Sequence, residues 1–295
     1  MTKDTLMNLN NPQLPDLRPT PDHAFTAWTQ LVLNNREQIE RLRERQPTAD
    51  FYQSRAGQFR PDRRPSPELP YLLQIAQPQD HWLDIGAGGG RFAVPIAQHV
   101  TAVHAVEPSP AMRETLAAAA AEANLTNIHT YDLRWPTPDA NVPTADVSLA
   151  SHMLYDQEDL HAFLQAMEAH TRRLCVVIVG NRAPSSAFEP LWTELYGEPA
   201  RLLPARHELL AALGALDRRF DVKTFPMPPS EPIELDDALA RARFLYWLED
   251  GSDRQALARQ WLSEHLSTED GRIAMPARVE YTSVISWPPG GTGLA

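Results

Sequence analysis

The stretch that most constrains this chain is residues 81–91, His-Trp-Leu-Asp-Ile-Gly-Ala-Gly-Gly-Gly-Arg. An apolar run ends in closely spaced glycines, and a helical run over 92–99 follows directly. This order predicts a β-strand, a tight turn and the start of an α-helix. Glycine suits such a turn because it adopts positive φ and leaves room for a ligand beside the backbone. The unpaired amides at the helix start then offer hydrogen-bond donors to that ligand.

The spacing of the glycines separates two classes of nucleotide ligand. The dinucleotide fingerprint Gly-x-Gly-x-x-Gly requires a third glycine where this chain has Arg91. The pattern present over 84–90 is Asp-x-Gly-x-Gly-x-Gly. A second acid, Glu107, ends the next short apolar run. Nucleotide-binding α/β folds place a carboxylate about 20 residues after the first glycine, at the end of the second strand, and it accepts hydrogen bonds from ribose hydroxyls. Both ligand classes need that acid, so a nicotinamide oxidoreductase stays open as an alternative.

These motifs resemble those of the class I S-adenosylmethionine-dependent methyltransferases over about residues 81–180. The resemblance implies an α/β, Rossmann-like sheet of seven mostly parallel strands, with helices on both faces and an antiparallel last strand at one end. The alternation of strands and helices along the chain predicts the same parallel architecture. S-adenosylmethionine is the implied cofactor, and its implied binding residues are Asp84, Gly86, Ala87, Gly88, Gly90, Glu107, Pro108, Met112, Asp132, Leu133 and Ser151.

The resemblance also assigns roles around the adenine ring. A small or apolar residue and a methionine line the ring, which matches Pro108 and Met112. An acid accepts from the exocyclic amine, and the next backbone amide faces a ring nitrogen, which matches Asp132 and Leu133. For Asp132, the start of a turn is the alternative interpretation.

Upstream of the glycines, residues 50–60 form an aromatic and basic segment that resembles the part of these enzymes that closes over the cofactor. Tyr52 would then face the methionine portion, and Arg60 would pair with its carboxylate as a bidentate donor. Anchoring of the segment by Tyr52 and solvation of Arg60 are equally open.

The catalytic candidates follow the fourth predicted strand, over 151–156. In open α/β sheets the ligand lies outside the carboxyl ends of the strands, so these side chains are expected at the reacting methyl group. His152 is the candidate general base, since imidazole titrates near working pH. Tyr155 would orient the acceptor. A structural contact beneath the cofactor is the alternative for His152.

The flanks of the core are assigned from periodicity and composition. An amphipathic helix from His23 to about Arg45 is expected over the site or against a second subunit, which makes a homodimer a candidate assembly. Trp192, Tyr196 and His207 are candidates for the acceptor pocket, with core packing as the alternative. The expected divisions are a flexible tail over 1–22, a helical lid over 23–80, the cofactor core over 81–180, the rest of the sheet with a substrate wall and a helical insertion over 181–287, and a flexible tail over 288–295.

Composition narrows the function further. The formal net charge of −11 argues against broad binding to nucleic acid or anionic membranes. The single cysteine, Cys175, excludes an internal disulfide and lies in an apolar run that predicts a buried thiol. The absence of a signal peptide and of a long apolar stretch predicts a cytoplasmic protein. Magnesium-dependent catechol methyltransferases carry an Asp-Asn pair after the fifth strand, but here Asn181 follows Gly180, so no metal is expected.

The sequence therefore predicts an enzyme that transfers a methyl group from S-adenosylmethionine to a small-molecule acceptor. Two alternatives stay open beside the oxidoreductase. A non-catalytic subunit would bind the cofactor without transferring the methyl group. A nucleic-acid methyltransferase would need a basic face, for which the candidate residues are Arg172, Arg173, Arg201, Arg218 and Arg219.

Overall fold

The structure is a computed structural model that describes residues 18–46, 49–63, 66–136, 142–274 and 279–290. One seven-stranded sheet organises these residues. Its strands are β1 (His81–Ile85), β2 (Ala102–Val106), β3 (Ile128–Tyr131), β4 (Ala145–Ser151), β5 (Thr171–Gly180), β6 (Asp221–Pro226) and β7 (Tyr281–Trp287). The helices are α1 (Pro21–Leu42), α2 (Leu69–Ile75), α3 (Ala93–Ala97), α4 (Pro110–Glu122), α5 (Leu160–Ala169), α6 (Glu189–Tyr196), α7 (Arg206–Ala215), α8 (Leu235–Tyr246) and α9 (Asp253–Leu266).

The spatial order of the strands is β3-β2-β1-β4-β5-β7-β6. Strands β1 to β5 run parallel to one another, and β7 runs antiparallel to both β5 and β6. The chain changes direction across the sheet between β1 and β4, which is the topological switch point where open α/β sheets bind ligands. The predicted Rossmann-like fold is thereby confirmed.

The place of the last strand was predicted wrongly. Strand β7 was expected at one end of the sheet, but it lies between β5 and β6. Its residues 282–287 are all buried, as an interior strand requires, since both of its faces are covered. Strand β6 has only exposed and half-buried residues and ends in Pro226, a residue that lacks a backbone donor and suits an edge strand.

The two faces of the sheet carry separate hydrophobic cores. Leu83 and Ile85 face one core, which also contains residues of α1, α5 and α7. Trp82, the residue before Leu83, faces the other core with residues of α2, α3 and α4. Because successive side chains of a strand point to opposite faces, the predominantly apolar pattern of the central strands follows from cover on both sides.

Helix α1 begins at a proline preceded by Thr20, whose hydroxyl accepts a hydrogen bond from the amide of His23 at 3.3 Å. Trp28 is fully buried, and its indole N–H donates to the carbonyl of Gln157 at 2.7 Å. Farther along, Ile39 contacts a third core formed by α6, α8 and α9. The apolar face of α1 is therefore covered within the chain, so its sequence pattern does not by itself require a second subunit.

A helical insertion lies between β6 and β7, as the sequence predicted. It contains α8 and α9, and its base is closed by two backbone hydrogen bonds between Ile233 and Ile273 at 3.0 and 2.7 Å. Cys175 is buried on β5, which confirms the predicted core thiol. Within the described ranges, no helix has the length and apolar character needed to cross a membrane. Most of the first predicted tail and residues 291–295 of the second lie outside the described residues.

Candidate active site

The glycine turn connects β1 to α3 at the switch point. Gly86, Gly88 and Gly90 have φ values of +72°, +55° and +89°, a region that favours glycine. A Cβ atom added at Gly90 would lie 2.5 Å from Leu116 Cδ1, so this glycine lets the turn pack against α4. A Cβ atom at Gly88 would meet only the sulfur of Met112, at 3.9 Å. The space beside Gly88 is therefore open, while Gly90 is needed for packing.

Glu107 follows β2 and faces the turn. Its carboxylate accepts hydrogen bonds from the backbone amides of Gly88 at 2.8 Å and Ser109 at 2.9 Å. Burial raises the pKa of Glu107, although both amide donors oppose that rise. The two hydrogen bonds fix the carboxylate at the end of β2, where an acid can accept from ribose hydroxyls.

Asp84, the acid that precedes the glycines, is 3% exposed at the end of β1. Burial raises its pKa to about 7, the negative charge of Glu107 adds to that rise, and a hydrogen bond from the amide of Ala93 opposes it. Two buried carboxyl groups, Asp84 and Glu107, therefore lie beside the glycine turn. In the described ranges, no arginine or lysine contributes to the pKa of Asp84. A cationic ligand would supply the charge that ionised Asp84 needs.

Residues 49–60, here called the strap, cross over this edge of the sheet. Asp50 accepts hydrogen bonds from the Ser109 hydroxyl at 2.9 Å and the Ala111 amide at 3.1 Å, at the first turn of α4. At the other end of the strap, the carbonyl oxygen of Phe59 would lie 2.9 Å from a Cβ atom added at Gly89. The strap is thus fastened to both the helix start and the glycine turn.

The strap also contacts the helical insertion. The Phe51 ring lies 4.4 Å from the Phe244 ring and 5.1 Å from the Trp247 ring, between ring centroids. The Arg55 guanidinium lies 4.6 Å from the Phe244 ring centroid, a cation–π contact. These contacts join the cofactor edge of the sheet to α8.

Tyr52 lies on the strap with 37% of its surface exposed. Burial raises the pKa of its hydroxyl to about 12, and the carboxylates of Asp156 and Glu107 add to the rise. Partial exposure together with strong desolvation is typical of a side chain that lines a concave surface. The charges of Asp156 and Glu107 both act on Tyr52, so these three side chains lie near one another, and the region between them is here called the cleft.

The predicted adenine contacts are already engaged. Both carboxylate oxygens of Asp132 accept from Arg113, at 2.7 and 2.8 Å, and Arg113 also donates to the Glu107 carbonyl at 2.8 Å. The Leu133 amide donates to the carbonyl of Tyr131 at 3.0 Å. Met112 is buried beside Gly88, and Pro108 is exposed. Arg113 thus fixes the loop after β3 relative to Glu107, a function that the sequence did not indicate.

Arg60 lies at the end of the strap and forms ion pairs with Glu122 and Asp62. Glu122 is the last residue of α4, whereas the cleft lies at the first turn of that helix. A contact between Arg60 and the cofactor carboxylate would require these ion pairs to open, and the assignment stays a prediction.

His152 and Tyr155 lie together at the carboxyl end of β4. The Nδ1 atom of His152 is 3.0 Å from the Tyr155 hydroxyl, which also accepts a hydrogen bond from the Gly180 amide at 2.8 Å. Tyr155 is 5% exposed, and burial raises the pKa of its hydroxyl well above the usual range. His152 has φ of +54°, an uncommon value for a residue with a side chain. Ser151, the last residue of β4, is half-buried beside it.

The predicted acceptor residues are placed differently. Trp192 is 4% exposed, and its ring centroid lies 4.4 Å from Tyr196 and 5.4 Å from Tyr246, inside the helical core. The Tyr196 hydroxyl donates to the Tyr246 carbonyl at 2.7 Å. His207 is exposed in the first turn of α7. The packing alternative accounts for Trp192 and Tyr196, and the structure does not bring His207 to them.

The residues present fit S-adenosylmethionine. Gly88 leaves a space that a Cβ atom would fill, Glu107 offers an oriented carboxylate at its edge, and no arginine or lysine in the described ranges contributes to the pKa of Asp84. Arg91 stands where a dinucleotide site needs its third glycine, and its side chain donates to the Ser66 hydroxyl at 2.8 Å. Among the residues described, no group of histidine, cysteine and acidic side chains has the arrangement of a metal site.

The fold and the site define a class I S-adenosylmethionine-dependent methyltransferase. The family model described as "Methyltransferase domain" matches residues 55–207, slightly more than half of the chain, and the chain belongs to this family.

One curated protein matches part of the chain, and solved structures share its fold. An uncharacterized protein of Haemophilus influenzae is 33% identical over 140 residues, which are 46% of this chain and 52% of that protein. The chain thus matches about half the length of this curated relative. The YcgJ protein of Bacillus subtilis has a similar fold, with a TM-score of 0.53 and 16% identity over 76% of this chain and 99% of its own. A putative methyltransferase of Bacillus halodurans gives the same TM-score at 13% identity, over 76% of this chain and all of its own.

Proposed function

We propose that this enzyme transfers the methyl group of S-adenosylmethionine to a small-molecule acceptor. The observation that carries the proposal is the pairing of the arginines that a nucleic-acid substrate would need. The ion pairs are Arg172 with Asp146 at 2.8 Å, Arg173 with Asp80 at 2.5 Å, Arg201 with Glu37 at 2.8 Å and Arg218 with Glu168 at 2.8 Å. Four of the five candidate arginines, all except Arg219, are thus balanced by a carboxylate, which weakens any attraction for a phosphate backbone.

The charge of the cleft supports the same proposal. Asp50, Asp84, Glu107 and Asp156 surround or underlie it, while Arg113 is paired with Asp132 and Arg134 lies near Tyr52 and Asp156, so carboxylates outnumber cations. Carboxylates repel phosphates and attract cations, and the net charge of the chain is −11. A polyanionic acceptor is therefore disfavoured at the site itself.

In this proposal the chain binds and orients both substrates. When bound, S-adenosylmethionine supplies a methyl group already activated for in-line displacement. Glu107 accepts hydrogen bonds from the ribose hydroxyls, Met112 and Pro108 line the adenine, and Asp84 balances positive charge. Tyr52 and the rest of the strap exclude water, and the residues after β4 hold the acceptor, so that proximity and orientation supply most of the rate enhancement.

A labelled-methyl transfer experiment tests the proposal. The enzyme is incubated with S-adenosylmethionine labelled in its methyl group and with three acceptor pools from the source organism: small molecules, total RNA and total protein. We expect label in the small-molecule pool, because the paired arginines offer little attraction for RNA. Label that enters only RNA or only protein would overturn the proposal, and label in no pool would support a non-catalytic cofactor-binding subunit.

Two alanine variants test whether the labelling depends on the glycine turn. Gly88→Ala should abolish labelling, since its new methyl group enters the cofactor space. Gly197→Ala is the matched control, because Gly197 also has positive φ, +71°, ends α6 and has no atom within 4 Å of an added Cβ. It carries a similar backbone strain away from the site and should label like the wild type.

A further inference from the structure

The contact between Tyr155 and His152 determines which nitrogen of the imidazole carries a hydrogen. The Tyr155 hydroxyl oxygen accepts from the Gly180 amide at 2.8 Å, and this amide can only donate. The hydroxyl still has its own hydrogen, which needs an acceptor because the side chain is buried. His152 Nδ1, at 3.0 Å, is the acceptor that the contacts of Tyr155 provide in the described part of the chain.

The state of the tyrosine fixes the direction of this hydrogen bond. Burial raises the pKa of Tyr155, and the charge of Glu68 adds to the rise, so the phenol stays protonated at neutral pH. A neutral imidazole whose Nδ1 accepts a hydrogen bond carries its hydrogen on Nε2. In the opposite arrangement, Nδ1–H would donate to a hydroxyl that already accepts from Gly180, and the buried phenol hydrogen would lose its acceptor.

The backbone of His152 supports a positioned side chain. A left-handed conformation costs a residue other than glycine about 1–2 kcal/mol, and such strain concentrates at functional sites. The His152 amide donates to the Ile178 carbonyl at 2.9 Å, which holds the strained residue against β5. Its ring and the Tyr155 ring lie nearly parallel, with an angle of 19° between them and 6.3 Å between their centroids. The imidazole is therefore held from its backbone and from Nδ1.

We infer that Tyr155 is a positioning residue that holds His152 in the tautomer with hydrogen on Nε2, so that His152 acts in methyl transfer as a hydrogen-bond donor. This role toward the acceptor rests on the proposed function. A donor at this place recognises an acceptor molecule that presents an oxygen or nitrogen lone pair. It does not remove a proton, so the attacking atom must arrive as a carboxylate, thiolate, phenolate or neutral amine.

The tautomer can be measured without knowing the acceptor. Protein labelled with ¹⁵N in histidine gives distinct nitrogen resonances for the two tautomers, and the His152 signals are assigned by their loss in His152→Gln. We expect a bare Nδ1 and a protonated Nε2 in the wild type at pH 8, and a mixture of tautomers in Tyr155→Phe. A protonated Nδ1 in the wild type, or an unchanged spectrum in Tyr155→Phe, would overturn the inference.

Kinetics then separates a donor from a base, once an acceptor is found. His152→Gln keeps an N–H group near the position of Nε2, whereas His152→Leu removes it, and both place a side chain at the same strained φ. We expect the kcat of the glutamine variant to be at least about tenfold higher than that of the leucine variant, because the glutamine keeps one hydrogen bond that the leucine loses. Equal loss in both variants would identify His152 as a base and contradict the inference.

A variant of Tyr155 tests whether the tyrosine positions the histidine. Tyr155→Phe should lower kcat about tenfold with an unchanged KM for S-adenosylmethionine, because only the histidine is released. An unchanged kcat would contradict the positioning role. If Tyr155→Phe does not fold, the wild-type nitrogen spectrum still decides the tautomer. If no small acceptor is found, that spectrum is still valid, so failure of the proposed function and failure of this inference are distinguishable.

Discussion

Gly88→Ala is expected to weaken S-adenosylmethionine binding by at least about 100-fold, while costing about 1 kcal/mol of stability for the left-handed backbone. Within the protein the new methyl group meets only Met112 Sδ, at 3.9 Å. It points toward Met112, which we propose for adenine, on a residue whose amide donates to Glu107, which we propose for ribose. The loss of affinity is therefore steric exclusion of the ligand and does not come from unfolding.

Gly90→Ala, two residues away, should behave in the opposite way. Its Cβ atom would lie 2.5 Å from Leu116 Cδ1 and 2.9 Å from Val94 Cγ2, both buried in the core. Overpacking of this kind costs about 1–3 kcal/mol in addition to the backbone strain. We expect a larger loss of stability in Gly90→Ala than in Gly88→Ala.

Thermal unfolding and calorimetric titration of S-adenosylmethionine measure the two effects separately. Gly88→Ala should unfold within about 2–4 °C of the wild type, as expected for 1 kcal/mol in a domain of this size. Gly197→Ala again serves as the control for strain and should bind normally. Near-normal affinity in Gly88→Ala would show that the cofactor does not occupy the space beside this glycine.

Asp84→Asn is expected to stabilise the ligand-free protein at pH 8 and to weaken cofactor binding. The folded state raises the pKa of Asp84 to about 7, chiefly by burial and then by the charge of Glu107, from 3.8. Between these two values the unfolded chain releases its proton first, so Asp84 lowers stability progressively as pH rises from about 4 to 7. The full effect is at most about 4 kcal/mol, and the amide hydrogens of asparagine offset about 1–3 kcal/mol of the gain.

Urea unfolding of the ligand-free protein at two pH values tests the sign. Asp84→Asn should be about 1–3 kcal/mol more stable than the wild type at pH 8. At pH 4.5 the folded wild type is protonated at Asp84, so the variant should have no advantage. Binding of the cationic cofactor at pH 8 should weaken about tenfold, because the ionised carboxylate is lost. A variant that is less stable at pH 8 would contradict a destabilising charge at this position.

The sequence predicted the elements with strong local signals. The glycine turn and the acid after β2 follow from spacing, and the Gly88 amide donates to Glu107 in the structure. The position of β7 could not be read from the chain, because local alternation defines a strand without naming its neighbours. The order follows from the burial of β7 and the exposure of β6, and both depend on which elements pack against these strands in the folded protein.

At the site, too, the contacts that could not be predicted join residues far apart in the sequence. No sequence pattern indicated that Asp50, far upstream, accepts a hydrogen bond from the hydroxyl of Ser109 at the start of α4. Nor did any pattern indicate that Arg113 would engage Asp132. Aromatic residues such as Trp192 and Tyr196 occur both in binding pockets and in hydrophobic cores, so the sequence could not distinguish the two. Their contacts with Tyr246 place them in the core.

The most direct measurement is calorimetric titration of the wild type and Glu107→Gln with S-adenosylmethionine, S-adenosylhomocysteine and NADH. Glu114→Gln on the exposed side of α4 removes the same charge and is the control. We predict one site for each of the two S-adenosyl ligands and none for NADH, with affinity about tenfold lower in Glu107→Gln and normal in Glu114→Gln. Binding of NADH alone, or equal binding in Glu107→Gln, would contradict an S-adenosylmethionine site at the glycine turn.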